Sequence, residues 1–144
     1  MTLRRTATAA ALATTAVAAL ALIPAPASAA KVTHVRDFVG TWESNGDDLT
    51  KVKIAKAGGA ITVKVWGNCG DEQCVIGEFD ARRYATSVQD GSRGTVALKG
   101  VRTPSFATVT YLITLRNGAL ILQQTYDYTG DRVDSYEEFT LVKK

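Results

Sequence analysis

From residue 38 onward the hydrophobic pattern has a period of two, the signature of strands with one face buried. Ile61, Val63 and Val65 alternate with Thr62 and Lys64. Val52 and Ile54 alternate with Lys51 and Lys53, and Val109, Tyr111, Ile113 and Leu115 with Thr108, Thr110 and Thr114. The spacing predicts eight strands, at 38–44, 50–56, 60–67, 74–84, 94–100, 106–116, 119–128 and 132–142, separated by Gly, Asn and Asp clusters. Phe38, Gly40 and Trp42 fall on one face of the first strand, with Thr41 and Glu43 opposite. Val96 and Leu98 are expected inward against Thr95 and Lys99, and Phe139 and Leu141 inward in the last strand. In the seventh strand Leu120-Ile121-Leu122 does not alternate, so its faces stay unassigned. No window carries a sustained helical stripe with caps.

Every link is short, and Asn117-Gly118 matches a two-residue type I′ hairpin turn. Sequence neighbours should therefore pair antiparallel. A meander of eight strands leaves two open edges unless the sheet closes. The expected fold class is all-β, an eight-stranded antiparallel up-and-down barrel. A two-sheet sandwich is the alternative.

Residues 1–29 read as a cleaved secretion signal. Arg4 and Arg5 form a positive start, an Ala/Leu/Val run covers 9–23, and Ala27-Ser28-Ala29 supplies the cleavage motif, with Ala30 as a second cleavage point. The run is too short and Ala-rich for a retained anchor, and no Cys follows it to carry a lipid. The expected product is extracellular: a loose lead-in over 30–36, then one barrel domain over 37–144. Loss of Arg4 and Arg5 leaves 15 Lys+Arg against 14 Asp+Glu, a net charge of +1. Such a near-neutral, mixed surface argues against nucleic acid or an anionic membrane as partner. About 115 residues suit one small core.

The two cysteines, Cys69 and Cys74, bracket four residues between the third and fourth strands. A metal site would need two further soft or imidazole ligands, and the chain has one His, His34, in the lead-in. In an oxidising compartment the pair reads as a structural disulfide holding the loop 70–73. Facing Cys69 directly against Cys74 would set Val65 against Glu78 and mix core with solvent positions. Shifting by one sets Val65 opposite Phe79, Val63 opposite Ala81 and Lys64 opposite Asp80. The connection should then be asymmetric, with a bulge near Cys74 or Val75. Trp66 turns outward beside Glu78, either as a contact residue or covered by its neighbours.

Gly40-Thr41-Trp42 at the head of eight predicted strands resembles the calycin group, which includes the lipocalins. Within that group, Val63-Lys64-Val65-Trp66-Gly67-Asn68-Cys69, then Cys74 and Gly77-Glu78, is similar to a set of small bacterial lipocalin-like domains with no assigned activity. The resemblance implies a barrel in which Gly40 and Trp42 are structural. It also implies a basic residue from the last strand over Trp42; here that is Lys143 or Lys144 in place of the usual Arg.

Catalytic constellations are poorly represented. A Ser-His-Asp site would depend on His34. Glu137 and Glu138 are adjacent and point to opposite faces, unlike a glycosidase pair. Asp47-Asp48 and Asp127 with Asp131 read as turn residues. No catalytic residue, metal or cofactor is assigned. Two functional classes remain. The first is a secreted monomeric binding protein that holds a small apolar or amphipathic ligand at the barrel mouth, guided by Tyr111, Gln124, Tyr126 and Glu137. The second is a protein-interaction module, such as a secreted protease inhibitor. It would act through Trp66, Asp71, Glu72 and Gln73 on the disulfide-held loop.

Overall fold

The computed structural model describes residues 33–46, 48–85 and 94–144. The expected signal peptide, the first lead-in residues, Asp47 and the turn at 90–93 lie outside them. The elements are α1 (Val35–Phe38), β1 (Gly40–Glu43), β2 (Leu49–Ala57), β3 (Ala60–Cys69), β4 (Glu72–Tyr84), β5 (Ala97–Arg102), β6 (Ala107–Arg116), β7 (Ala119–Tyr128) and β8 (Ser135–Lys143). Each strand pairs antiparallel with its sequence neighbours, and β8 returns to β1 to close the barrel. The up-and-down barrel is thus the observed architecture, and the sandwich is not. It is consistent with a lipocalin-like fold.

Tight turns set much of the topology. Asn117 and Gly118 both carry positive φ, 53° and 82°, as a type I′ turn demands. At the cysteine hairpin Gly70 has φ 75° and Cys69 pairs with Glu72, so the turn is the two residues Gly70-Asp71. Glu72 and Gln73, expected in a loop, belong to β4.

The alternation locates the core where the pattern put it. Val52, Ile54, Val63, Val65, Leu98 and Ile113 are fully buried inside the barrel. On β7, Leu120, Leu122 and Gln124 form the inward row, although Ile121 is buried as well. Phe139 is half-buried and Leu141 fully buried.

Three expectations shift. Phe38 ends α1 instead of opening β1, because Gly40 has φ 137° and the strand begins there. Val96 is 42% exposed while Thr95 is buried. The segment before β5 is held by the lead-in: Thr95 N–H donates to the Thr33 carbonyl at 2.8 Å, and the Thr33 hydroxyl donates to the Thr95 carbonyl. Regular alternation starts only with β5. The third shift is in register. Val65 faces Gly77, Val63 faces Phe79 and Lys64 faces Glu78, with a bulge between Val75 and Gly77. The expected pairing of Lys64 with Asp80 is replaced by a 3.1 Å ion pair with Glu78, and Asp80 faces Thr62. The hairpin is asymmetric and bulged as anticipated, but offset by two residues in the other direction, because its turn closes tightly on Gly70. An offset of two preserves the inward and outward faces.

Candidate functional site

The end of the barrel that carries the cysteine hairpin also gathers inward polar groups. Gly100, Tyr111, Gln124 and Glu137 lie side by side across β5, β6, β7 and β8. In the next inward row Arg102 faces Val109, and Val109 faces Tyr126. The Phe79 ring stacks on Tyr111 at 4.3 Å between centroids and lies over Gly100, where a Cβ would run into it.

The hairpin bulge positions the cation of this site. Ile76 is the extra residue of the bulge, and its carbonyl accepts from Arg102 Nη1 at 2.6 Å. A Cβ built on Gly77 would sit 2.9 Å from the same Nη1 and 3.3 Å from the Tyr111 hydroxyl oxygen. Guanidinium and phenol therefore converge on one small volume. Among the described residues Arg102 has no carboxylate partner; the ion pairs are Lys64–Glu78 and Lys144–Glu43.

Gln124 is 3% exposed. Its Nε2 donates to Glu137 Oε2, an assignment required because an ionised carboxylate only accepts. Its Oε1 is buried with no hydrogen-bond partner among the described residues. Such a group costs about 1–3 kcal/mol unless something satisfies it. Tyr126 is half-buried beside it. Burial, reinforced by Tyr111, Glu137 and Tyr128 and opposed by Arg102, pushes its phenol from 10.0 up to about 12. Outward from Tyr126 an aromatic ladder continues, with Tyr128 stacked at 5.7 Å and Phe106 at 6.4 Å from Tyr128.

The structure brings Tyr111, Gln124, Tyr126 and Glu137 together as neighbours on one wall. Exposure rises from buried Tyr111 and Gln124 through Tyr126 to exposed Glu137, so the polar row runs from the core out to the surface. Arg102, Phe79 and Tyr128 complete it and were not anticipated. Arg102 was missed because the fifth strand was ended at Gly100; two more residues of alternation would have put it inside.

The second expected cluster lies on and beside the hairpin. Cys69 and Cys74 form the disulfide, with Cα atoms 5.8 Å apart. Trp66 faces outward but is half-buried, with Lys51 Nζ 4.3 Å and Lys64 Nζ 5.7 Å from its ring centroid. Gln73 accepts from Lys51 Nζ at 3.0 Å and donates to the Thr50 hydroxyl. Asp71 sits in the turn, and Glu72 opens β4. A cavity of about 330 Å³ beside Trp66 is lined by Thr41, Glu43, Lys51, Lys53 and Lys144.

At the opposite end Trp42 Nε1 donates to the Phe38 carbonyl at 2.8 Å, and Lys143 Nζ stands 5.2 Å from its ring centroid. Lys143, not Lys144, covers Trp42; Lys144 pairs with Glu43 at 2.8 Å. A 490 Å³ cavity by α1 is lined by His34, Arg36, Lys56, Ile61 and Arg83.

Compared with known proteins, the chain matches no family model, no curated protein and no solved structure.

Proposed function

We propose that the chain is a secreted, non-enzymatic binding protein that holds a small amphipathic ligand at the barrel mouth. The reading rests on one observation above the rest: Gln124 Oε1 is buried without a partner among the described residues, in a row of inward polar side chains. A ligand bearing a hydrogen-bond donor would complete it. The aromatic ladder of Tyr126, Tyr128 and Phe106 supplies an apolar surface for the rest of such a molecule. The Gly40, Trp42 and Lys143 contact favours membership of the calycin group, with Lys143 standing here where the group usually has Arg. The protease-inhibitor reading is the weaker one: Gln73 is engaged by β2, and lysines flank the Trp66 ring.

The proposal is tested by aromatic NMR on protein taken from culture supernatant, before and after denaturing extraction and refolding. Displaced Tyr111 and Tyr126 signals, restored by the extract, are expected. Identical spectra before and after would refute a carried ligand.

A further inference from the structure

The mouth is dipolar as well as polar. On β5 to β8 at this end, the inward positions hold a cation, Arg102, and an anion, Glu137. They form no ion pair with each other. Three inter-strand spacings separate them, roughly 14 Å along the sheet. Both occupy inward positions of a closed sheet, so the direct line between them is shorter than the path across the strands. Tyr126 lies between the charges and feels both of them.

The two sides ask for opposite partners. On the β7–β8 side Glu137 is an acceptor, Gln124 donates one of its two Nε2 hydrogens to Glu137, and Gln124 Oε1 is a second, buried acceptor. Both accept hydrogen bonds, and an ammonium or N–H group beside a carboxylate supplies them with matching charge. On the β5 side Arg102 Nη1 donates to the Ile76 carbonyl, and among the described residues the rest of its planar fork makes no further hydrogen bond, the geometry a carboxylate fits. The Tyr111 hydroxyl lies beside that fork.

Resting on the ligand-binding reading above, we infer that the ligand's polar head is zwitterionic, an ammonium or N–H group toward Gln124 and Glu137 with a carboxylate toward Arg102, and that its apolar side chain lies on the Tyr126–Tyr128–Phe106 ladder. An amino acid or short peptide with an aromatic side chain has this layout.

Three probes that share a phenyl group separate the contributions: L-phenylalanine, 3-phenylpropionate and phenethylamine, each titrated by isothermal calorimetry and amide NMR into the extracted, refolded full-length mature protein. Phenylalanine should bind at least about ten-fold tighter than either single-charge probe and should shift Tyr111, Gln124 and Tyr126. Glu137→Gln should erase its advantage over phenylpropionate, and Arg102→Gln its advantage over phenethylamine. Glu137 is exposed, so E137Q keeps the test valid if R102Q misfolds. Equal affinity for all three probes would overturn the zwitterionic head. Failure of all three, with a neutral or purely apolar molecule recovered in the extract, would overturn it and leave the ligand reading standing. Failure of all three with an empty extract would bring down both.

Discussion

The two ends of this barrel are built from the same eight strands to opposite specifications. At the α1 end, Phe38, Trp42, Leu98, Ile113, Leu120 and Leu141 are buried against one another. The one polar atom of Trp42 is spent on the Phe38 carbonyl, and Lys143 covers the ring. At the hairpin end, inward positions hold Arg102, Gln124, Tyr126 and Glu137, and one buried acceptor goes unmet among the described residues. A barrel selected for stability alone would fill that row with aliphatic side chains. The contrast teaches that burial at the α1 end holds the fold, and that polarity at the mouth is retained at a cost to it.

That contrast can be broken at several points. Trp42→Ala should produce the largest loss, about 3–5 kcal/mol in urea unfolding, because it removes a large buried side chain and its hydrogen bond. Gly100→Ala should cost about 1–3 kcal/mol by the same assay, since a Cβ there collides with the Phe79 ring stacked on Tyr111. Removing the disulfide with paired Cys69→Ser and Cys74→Ser should cost about 2 kcal/mol, the scale of closing so short a loop. It should also loosen the bulge that presents the Ile76 carbonyl to Arg102.

Gln124→Met should behave in the opposite way. It keeps the volume and removes the unmet acceptor, while exposed Glu137 turns to water, so the free energy of unfolding should stay within about 0.5 kcal/mol or rise. A large loss would mean that Gln124 is a structural group after all.

The smallest effect is on pH dependence. Tyr126 ionises at about 12 in the fold against an ordinary 10.0. Between those values the unfolded chain gives up its proton and the folded chain keeps it, so stability is intact below pH 10 and declines as pH rises toward 12. Tyr126→Phe should flatten that decline, and the variant's ultraviolet titration should lack one phenol that ionises near 12 in the wild type.

Much of the barrel was legible because burial on one face writes a period of two into β2, β3 and β6, and because Asn117-Gly118 admits one kind of turn. Register was less legible. Parity fixes which residues point inward, so Val63 and Val65 were placed correctly, but an offset of two leaves parity unchanged and sequence alternation cannot see it. The Gly70 turn decided it. The segment before β5 misled because Thr95 answers to Thr33, a partner remote in sequence, while the Val96 N–H donates to the Tyr84 carbonyl. Tyr111, Gln124, Tyr126 and Glu137 were legible as polar residues on inward positions. The unmet Gln124 acceptor was not, since satisfaction depends on where neighbouring side chains end.

The central claim is that the polar mouth serves a ligand and not the fold. Native mass spectrometry of wild type and Gln124→Met, secreted and purified side by side, tests it most directly. The account predicts a small-molecule mass excess on the wild type that is lost from an equally well-folded variant. Bare chains in both, or the same excess in both, would contradict it.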